Sequence, residues 1–555
     1  MSGINLCISG DVFDKDKEGL SQFWKGFIAI QRVLPPSLPI HVYAHSSAVT
    51  SEELIKKVYG KDLKRLHLSD CQADSSLDEL LKSEKFSAEN QNQLFENYNA
   101  LSSRARVIND LASDASGDEL VFMTNWKAEF DKPVLIDASL PKEYIYFQYA
   151  DLVDYGYSEN WVLTSCSKLS ALAQLPAFYL TSIANYIETS PEKVEDTFPL
   201  FIKKTRLGDS VNTARIGILK QVDGIVTRLT SLCTGTIFYN KVFGLGLRVK
   251  NAIKRPNTTG ENTFNVPTSF NFKPTLSQLS HRGAVLKGYA ISKGLRENVR
   301  FIDDGDFLSD HKGSAINPVS YCFVIVTHSD KKQYWQMLVS SAEKALGDEC
   351  QNIVVYAEEG ADTATTFESL VKSDKVSLLT YSGALKQQTA LDVLLKSGSL
   401  PDDYVYTSFD NQPLVGRIDT VLLNSLLHHL SVNNNVKIDL VDSYDSNLSQ
   451  TSDFPELNVS NEPSKRCLNP AIYNLARYRN ARTDTTNSGT TQTNVDNTFY
   501  LIGDRKVNNT YSVNMGFPHL LIDEMGESAN KNWLKELSAL EEEFELKIAP
   551  ETAIE

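Results

Sequence analysis

The feature that most restricts the fold is a pattern that occurs twice. Short apolar runs stop at a polar loop, and each is followed by a segment with helical spacing. In the first instance INLCISG (4–10) ends at Gly10 and precedes KEGLSQFWKGFIAIQRVL (17–34), which PPSLP terminates. IHVYAH (40–45) and ELVFMTN (119–125) read as further strands around a long polar, helix-prone stretch over 51–113. EYIYFQYADL (143–152) and NWVLTSC (160–166) are β-prone, and SKLSALAQLPAFYLTSIANYI (167–187) returns to helix. The second instance opens with SYCFVIVTHSD (320–330) and the amphipathic QYWQMLVSSAEKALG (333–347). QNIVVYAEEG (351–360), VSLLTYSG (376–383) and DYVYTSFD (403–410) follow as strands, separated by helical stretches and succeeded by RIDTVLLNSLLHHLS (417–431). Strands that alternate with helices of this length predict an α/β fold with largely parallel sheets covered on both faces. The similar order of elements predicts two related units.

The chain has 555 residues, more than one ordinary core can organise. Three segments are expected: an amino-terminal α/β domain (1–204), a mainly helical bridge (205–315) and a carboxyl-terminal α/β domain (316–555). The Thr- and Asn-rich block 481–497 reads as a polar insertion. A net charge of −15 disfavours a nucleic-acid partner, because such binders gain affinity by neutralising phosphates. The basic stretches at 250–255 and 463–482 read as solvated faces. The seven cysteines show no metal-ligand spacing, and several lie inside apolar runs, where a free thiol packs as a small hydrophobe. They fit a reducing, cytoplasmic compartment. No secretory signal or membrane span is expected.

In an open α/β sheet, ligands bind beyond the carboxyl ends of the strands. That rule selects the loops 9–14, 327–331, 356–360 and 408–413, with Ser9, Gly10, Asp11, Thr327, His328, Asp330, Glu358, Glu359, Asp410 and Gln412 as candidates. Each has a plainer reading. Asp410-Asn411-Gln412-Pro413 is good turn chemistry, Thr327–Asp330 can cap the next helix, and Glu358 and Glu359 can be solvated. FIDDGDF (301–307) lacks the later bidentate Glu of a calcium loop and reads as a turn. His428 and His429 read as structural residues on an apolar helix. A P-loop, a GxGxxG loop and a Ser-His-Asp context are all missing, which lowers the case for kinases, dehydrogenases and hydrolases.

Both halves resemble nucleotide-sugar-dependent glycosyltransferases of the GT-A fold. In the second half the resemblance is carried by FVIVTHSDKKQYWQMLVSSAEKAL, NIVVYAEEG, DDYVYTSFDNQPL and SKRCLNPAIYN. In the first it is carried by INLCISGDVF, IHVYAHSS, NALSSRARVIND and VFMTNWKAEFDKPV, which are similar to a group acting in surface-polysaccharide assembly. The chain departs from both patterns. Asp410-Asn411-Gln412 retains one carboxylate of an Asp-x-Asp element, and Asn125 and Lys127 stand where the first group carries Arg and Asp.

The resemblance implies two Rossmann-like GT-A-type mixed sheets joined by a helical segment, and the departures at Asn125 and Lys127 allow the first to be degenerate. It implies a nucleotide-sugar donor, a saccharide acceptor, and Mn2+ or Mg2+ held by Asp410 and Gln412. Thr327, His328, Asp330, Glu358 and Glu359, with Ser9, Gly10 and Asp11 in the first half, would face the donor. Asn469, Tyr473 and His519 would face the acceptor, and Asp442 and Asp523, or Glu524, are candidates for the base. Lys331, Lys332 or Arg417 would replace a missing metal. Two alternatives remain open: transfer to a modified base of viral DNA, and a non-catalytic binding or scaffold protein.

Overall fold

The computed structural model describes residues 3–189, 274–302 and 313–440 apart from short interruptions, parts of 450–460, and residues 470–483 and 498–501. The first unit is a seven-stranded sheet built from β1 (Ile4–Ser9), β2 (Ile40–Ser46), β3 (Leu63–Leu68), β4 (Leu120–Asn125), β5 (Ile145–Tyr149), β6 (Tyr157–Ser165) and β7 (Val299–Ile302). Its order is β3-β2-β1-β4-β6-β5-β7. The first four of these run parallel, β6 is antiparallel to β4 and β5, and β7 is parallel to β5.

The second unit is a nine-stranded sheet. Its strands are β8 (Cys322–Thr327), β9 (Asn352–Glu358), β10 (Val376–Tyr381), β11 (Tyr404–Phe409), β12 (Lys437–Asp439), β13 (Gln450–Thr451), β14 (Leu457–Ser460), β15 (Ala471–Asn474) and β16 (Thr498–Leu501). The order is β10-β9-β8-β11-β15-β12-β16-β14-β13. With the β13–β14 pair set aside as an addition at the far edge, the path and direction of its seven strands repeat those of the first sheet. The two halves therefore share a Rossmann-like GT-A-type topology, as the order of elements predicted.

Why these segments are strands follows from where they sit. Every residue of β1 and of β8 is buried, because helices cover both faces. In the first unit, the Lys17–Val33 helix covers one face and the Ala88–Asp114 helix the other. In the second, the Trp335–Leu346 and Thr420–Asn433 helices share one face, and the Gln387–Ser397 helix lies on the opposite one. Among the described residues no helix is long and apolar enough to cross a membrane.

Residues 276–302 do not fit the expected bridge. Their helices, Leu276–Ser280 and Arg282–Ser292, pack in the first unit's core through Leu279, Val285, Leu286 and Tyr289, and β7 extends its sheet. Local spacing identified the helices but not their partner, since β7 pairs with a strand about 150 residues earlier. Residues 205–273, and 481–497 beyond 483, lie outside the described residues.

The units are joined by a common core. The Lys17–Val33 helix lies against the Thr420–Asn433 helix, and one apolar cluster runs from Ile4 in β1 to Ile472 in β15. Trp24 packs on His429 and Phe454, and Phe27 on His428 and Tyr59. At the centre, the fully buried Gln31 uses both ends of its amide. Its Oε1 accepts from Asn424 Nδ2 and from the Ile316 N–H, each at 3.0 Å, and its Nε2 donates to Ser425 Oγ at 2.9 Å. His428 Nε2 bonds the Asn317 carbonyl at 2.9 Å, and burial pushes the imidazole down to about 4. The histidine pair is structural, as expected, and it sits at the junction of the units.

Candidate active site

Four adjacent parallel strands of the second unit, β10, β9, β8 and β11, end at the same edge of the sheet. Each brings a polar side chain there: Tyr381 closes β10, Glu358 closes β9, His328 follows β8, and Asp410 follows β11. Parallel pairing alone enforces this convergence, because strands with matched registers release their chains at one level.

Asp410 is the anchor. It is 9% exposed, and its backbone N–H still bonds the Val326 carbonyl at 3.2 Å, prolonging the β8–β11 ladder by one step. Its Oδ2 accepts from the His328 N–H at 3.0 Å and from Gln387 Nε2 at 3.1 Å. The carboxylate thus ties two strand ends to the start of the Gln387–Ser397 helix. Among the described residues nothing bonds Oδ1. Two donors on one oxygen fix the plane of the group and present the other oxygen in a set orientation.

Around it, Tyr381 donates its hydroxyl proton to the Thr327 carbonyl at 2.9 Å and lies 3.4 Å from His328 Nδ1. Glu358 Oε2 is 3.9 Å from the same nitrogen, and the His328 and Glu358 side chains remain 41% and 23% exposed. Gly383 makes room for that carboxylate, since a Cβ there would meet Glu358 Oε1 at 2.5 Å. Lys332 is largely covered and pairs with the exposed Asp362; this hydrogen bond holds the Asp362 carboxyl below its usual range. Lys331 lies 5.8 Å over the Tyr334 ring. The edge therefore offers one oriented carboxylate, an imidazole, a phenol, a second carboxylate and two ammonium groups.

The donor set can be tested against a divalent cation. Among the described residues no group of three or more His, Cys, Asp or Glu could hold a metal, so a cage made of protein alone is not present. Mg2+ and similar ions, however, are commonly held by one carboxylate together with substrate phosphates and water. The unbonded Oδ1 of Asp410 fits that mode. Gln412 is 3% exposed, and its own carbonyl accepts from Ser408 Oγ at 2.9 Å, so it braces the turn.

The other predicted residues divide clearly. Thr327 is fully buried and occupied, with Trp335 Nε1 donating to its Oγ1 at 3.1 Å, so it supports the loop from beneath. Glu359 is exposed beside Glu358. Tyr473 is displaced from its expected acceptor role: it is buried in β15, opposite Val405 near the amino end of β11, and packs on Tyr478. Asp11, Asp442, Asn469, His519, Asp523 and Glu524, and the side chain of Asp330, lie outside the described residues. Two contributors were missed. Tyr381 ends a predicted strand and was open to the same strand-end rule, whereas Gln387 looks like any polar residue opening a helix.

The corresponding strand end of the first unit has another character. After β4 the chain reads Asn125-Trp126-Lys127, and Trp126 is 2% exposed, packed on Phe23 and Tyr59, with Nε1 donating to the His45 carbonyl at 2.8 Å. An indole set into the common core stands where the second unit has Asp410, and among the described residues this turn carries no carboxylate. Ser9 is buried, and Gly10, at φ +115°, turns its N–H onto Ser103 Oγ at 2.8 Å. A separate cavity of about 450 Å3 lies at the amino ends of β9 and β10, lined by Glu343, Cys350, Ile353, Ser373 and Lys375, away from the convergent side chains.

No family model matches the chain, and no curated protein matches it significantly. Among solved structures, the glycosyltransferase GlyE of Streptococcus pneumoniae aligns over 73% of this chain and 86% of its own, at 9% identity and a TM-score of 0.20. The 4-diphosphocytidyl-2C-methyl-D-erythritol synthase of Anaerococcus prevotii aligns over 40% and 96%, at 9% identity and 0.24. The galactosyltransferase LgtC, in complex with donor and acceptor sugar analogues, aligns over 28% and 59%, at 12% identity and 0.21. At such values the fold assignment stands on the strand order of the chain itself: two mixed, helix-flanked α/β sheets of GT-A type.

Proposed function

We propose that the second unit is a glycosyltransferase that moves a hexosyl or pentosyl group from a nucleotide-sugar donor to a saccharide acceptor of a glycan. The observation that carries this reading is Asp410, held by His328 N–H and Gln387 at the common end of four parallel strands, with its other oxygen unbonded among the described residues. In this reading His328 and Glu358 line the nucleoside end of the crevice, braced by Tyr381, and imidazole and carboxylate offer donors and acceptors to a base and a ribose. The diphosphate lies between Asp410 and the Lys331–Lys332 pair. Asp410 would hold a Mg2+ or Mn2+ ion carried in with the diphosphate, whose charge offsets that of the leaving phosphate. Charge grows on that phosphate as the glycosidic bond breaks, so a fixed ammonium group stabilises the transition state more than the ground state. Lys332 would serve here, exchanging its pairing with Asp362 for the donor's phosphate. Asp442 and Asp523 are proposed for the acceptor side.

The test is donor hydrolysis with a panel of nucleotide sugars, with and without Mn2+. Slow release of one nucleoside diphosphate, lost in Asp410→Asn, supports the assignment. Release from none, with the chain folded, favours the second reading, a non-catalytic binding protein. That reading draws on the missing second carboxylate and on the buried Trp126 in the first unit. Transfer to a modified base of DNA is the less favoured acceptor, given the net charge of −15, and salt-dependent DNA binding would reveal it.

A further inference from the structure

After β4 the first unit has Asn125 and Trp126 in place of the carboxylate, and its carboxyl edge carries a built polar cluster that includes a guanidinium. The ends of β1, β2 and β3 meet the Ala88–Asp114 helix there. His45, 1% exposed at the end of β2, bonds at both ring nitrogens. Its Nδ1 lies 2.7 Å from Ser103 Oγ, and its Nε2 lies 3.0 Å from Ser69 Oγ and 3.2 Å from Arg106 Nη1. A guanidinium only donates, so Nε2 is the acceptor and the ring proton sits on Nδ1, facing Ser103. Ser103 Oγ also takes the Gly10 N–H, and Arg106 donates to Ser69 as well. The more exposed ring of His67 stacks on His45 at 5.8 Å.

This cluster has a surplus of donors. Among the described residues no carboxylate pairs with Arg106. The acidic residues on the following turns of its helix, Asp110 and Asp114, are engaged by Arg65 of β3. A half-buried guanidinium beside hydroxyls and a neutral imidazole, at the edge where an open α/β sheet takes its ligands, matches an oxyanion with several acceptor oxygens. We propose that Arg106 and Ser69 of the first unit, held in place by His45, bind the phosphate group of a small phosphorylated molecule, at a site distinct from the Asp410 crevice and without turnover. This goes beyond the transferase reading and does not depend on it.

The test uses the full chain and inorganic phosphate as probe, by isothermal titration, followed by a nucleoside monophosphate and a hexose 1-phosphate to separate the two sources of the group. Arg106→Gln should weaken phosphate binding by about tenfold or more, and Arg106→Lys, which keeps the charge, by only a few-fold. Ser69→Ala, which spares the helix, should give a smaller loss in the same direction. The proposal is overturned if phosphate binds Arg106→Gln as it binds the wild type, if Lys332→Gln is the variant that loses it, or if the folded wild type shows no saturable binding. Donor hydrolysis through Asp410 can fail or succeed independently of all three results.

Discussion

Replacing Asp410 by Asn and by Ala separates what its charge does from what its hydrogen bonds do. Asn keeps one carbonyl oxygen where the His328 N–H and the Gln387 amide need an acceptor, at 3.0 and 3.1 Å. Ala removes that acceptor. Hydrogen bonds to a charged group contribute about 1.5–3 kcal/mol each, and the two share one oxygen, so Ala should lose roughly 3 kcal/mol of stability and Asn about 1. Equilibrium urea unfolding measures both. Ligand response is the second axis. A nucleoside diphosphate with Mn2+ at a hundred times its dissociation constant stabilises by about 2.7 kcal/mol, and a tenfold weaker variant at the same concentration retains about 1.4. The expected pattern for Asn is a nearly native unfolding midpoint with about half or more of the ligand-induced stabilisation gone. If Asn instead keeps the whole ligand response while Ala loses only stability, Asp410 is a brace for two strand ends, and the transferase assignment loses its anchor.

Other expectations follow from the same geometry. Asp362→Asn should tighten nucleoside diphosphate binding by a few-fold, because it releases Lys332 from a competing carboxylate, whereas Lys332→Gln should weaken it; titration calorimetry on the pair decides. Gln31→Ala should cost about 3 kcal/mol or more in urea unfolding, since it strands the buried Ile316 N–H and leaves Asn424 and Ser425 a partner short. His428 is held neutral, with a folded value near 4 below an ordinary value of 6.5, so the unfolded chain takes up this proton first as pH falls. Stability should therefore decline from about pH 6.5 to 4 by roughly 3 kcal/mol and then level off for this group, and His428→Gln should flatten that segment of the curve.

Much of the scaffold was legible in the sequence because its signals are local. Fully apolar runs such as CFVIVT and INLCIS announce strands covered on both faces, and their polar ends announce the ligand edge. The same rule selects His328, Glu358 and Asp410, which the parallel strands bring to one edge. What escaped depends on distant partners. β7 joins a strand laid down about 150 residues earlier, and nothing within VRFI points to it. Tyr473 sits in a segment whose resemblance suggested an acceptor pocket, but its register against Val405 places it inside the sheet. Gln31, Asn424 and Ser425 look like polar blemishes on apolar helices until the helices meet and each supplies what the other lacks.

That meeting has a mechanical consequence. With aromatic rings and an amide keystone locked between the halves, neither sheet is free to swing like a jaw over a substrate. Any closing over the crevice has to come from the loops at its rim. By the same logic, cutting the chain between its repeats would bare an oily face on each fragment rather than release two working proteins.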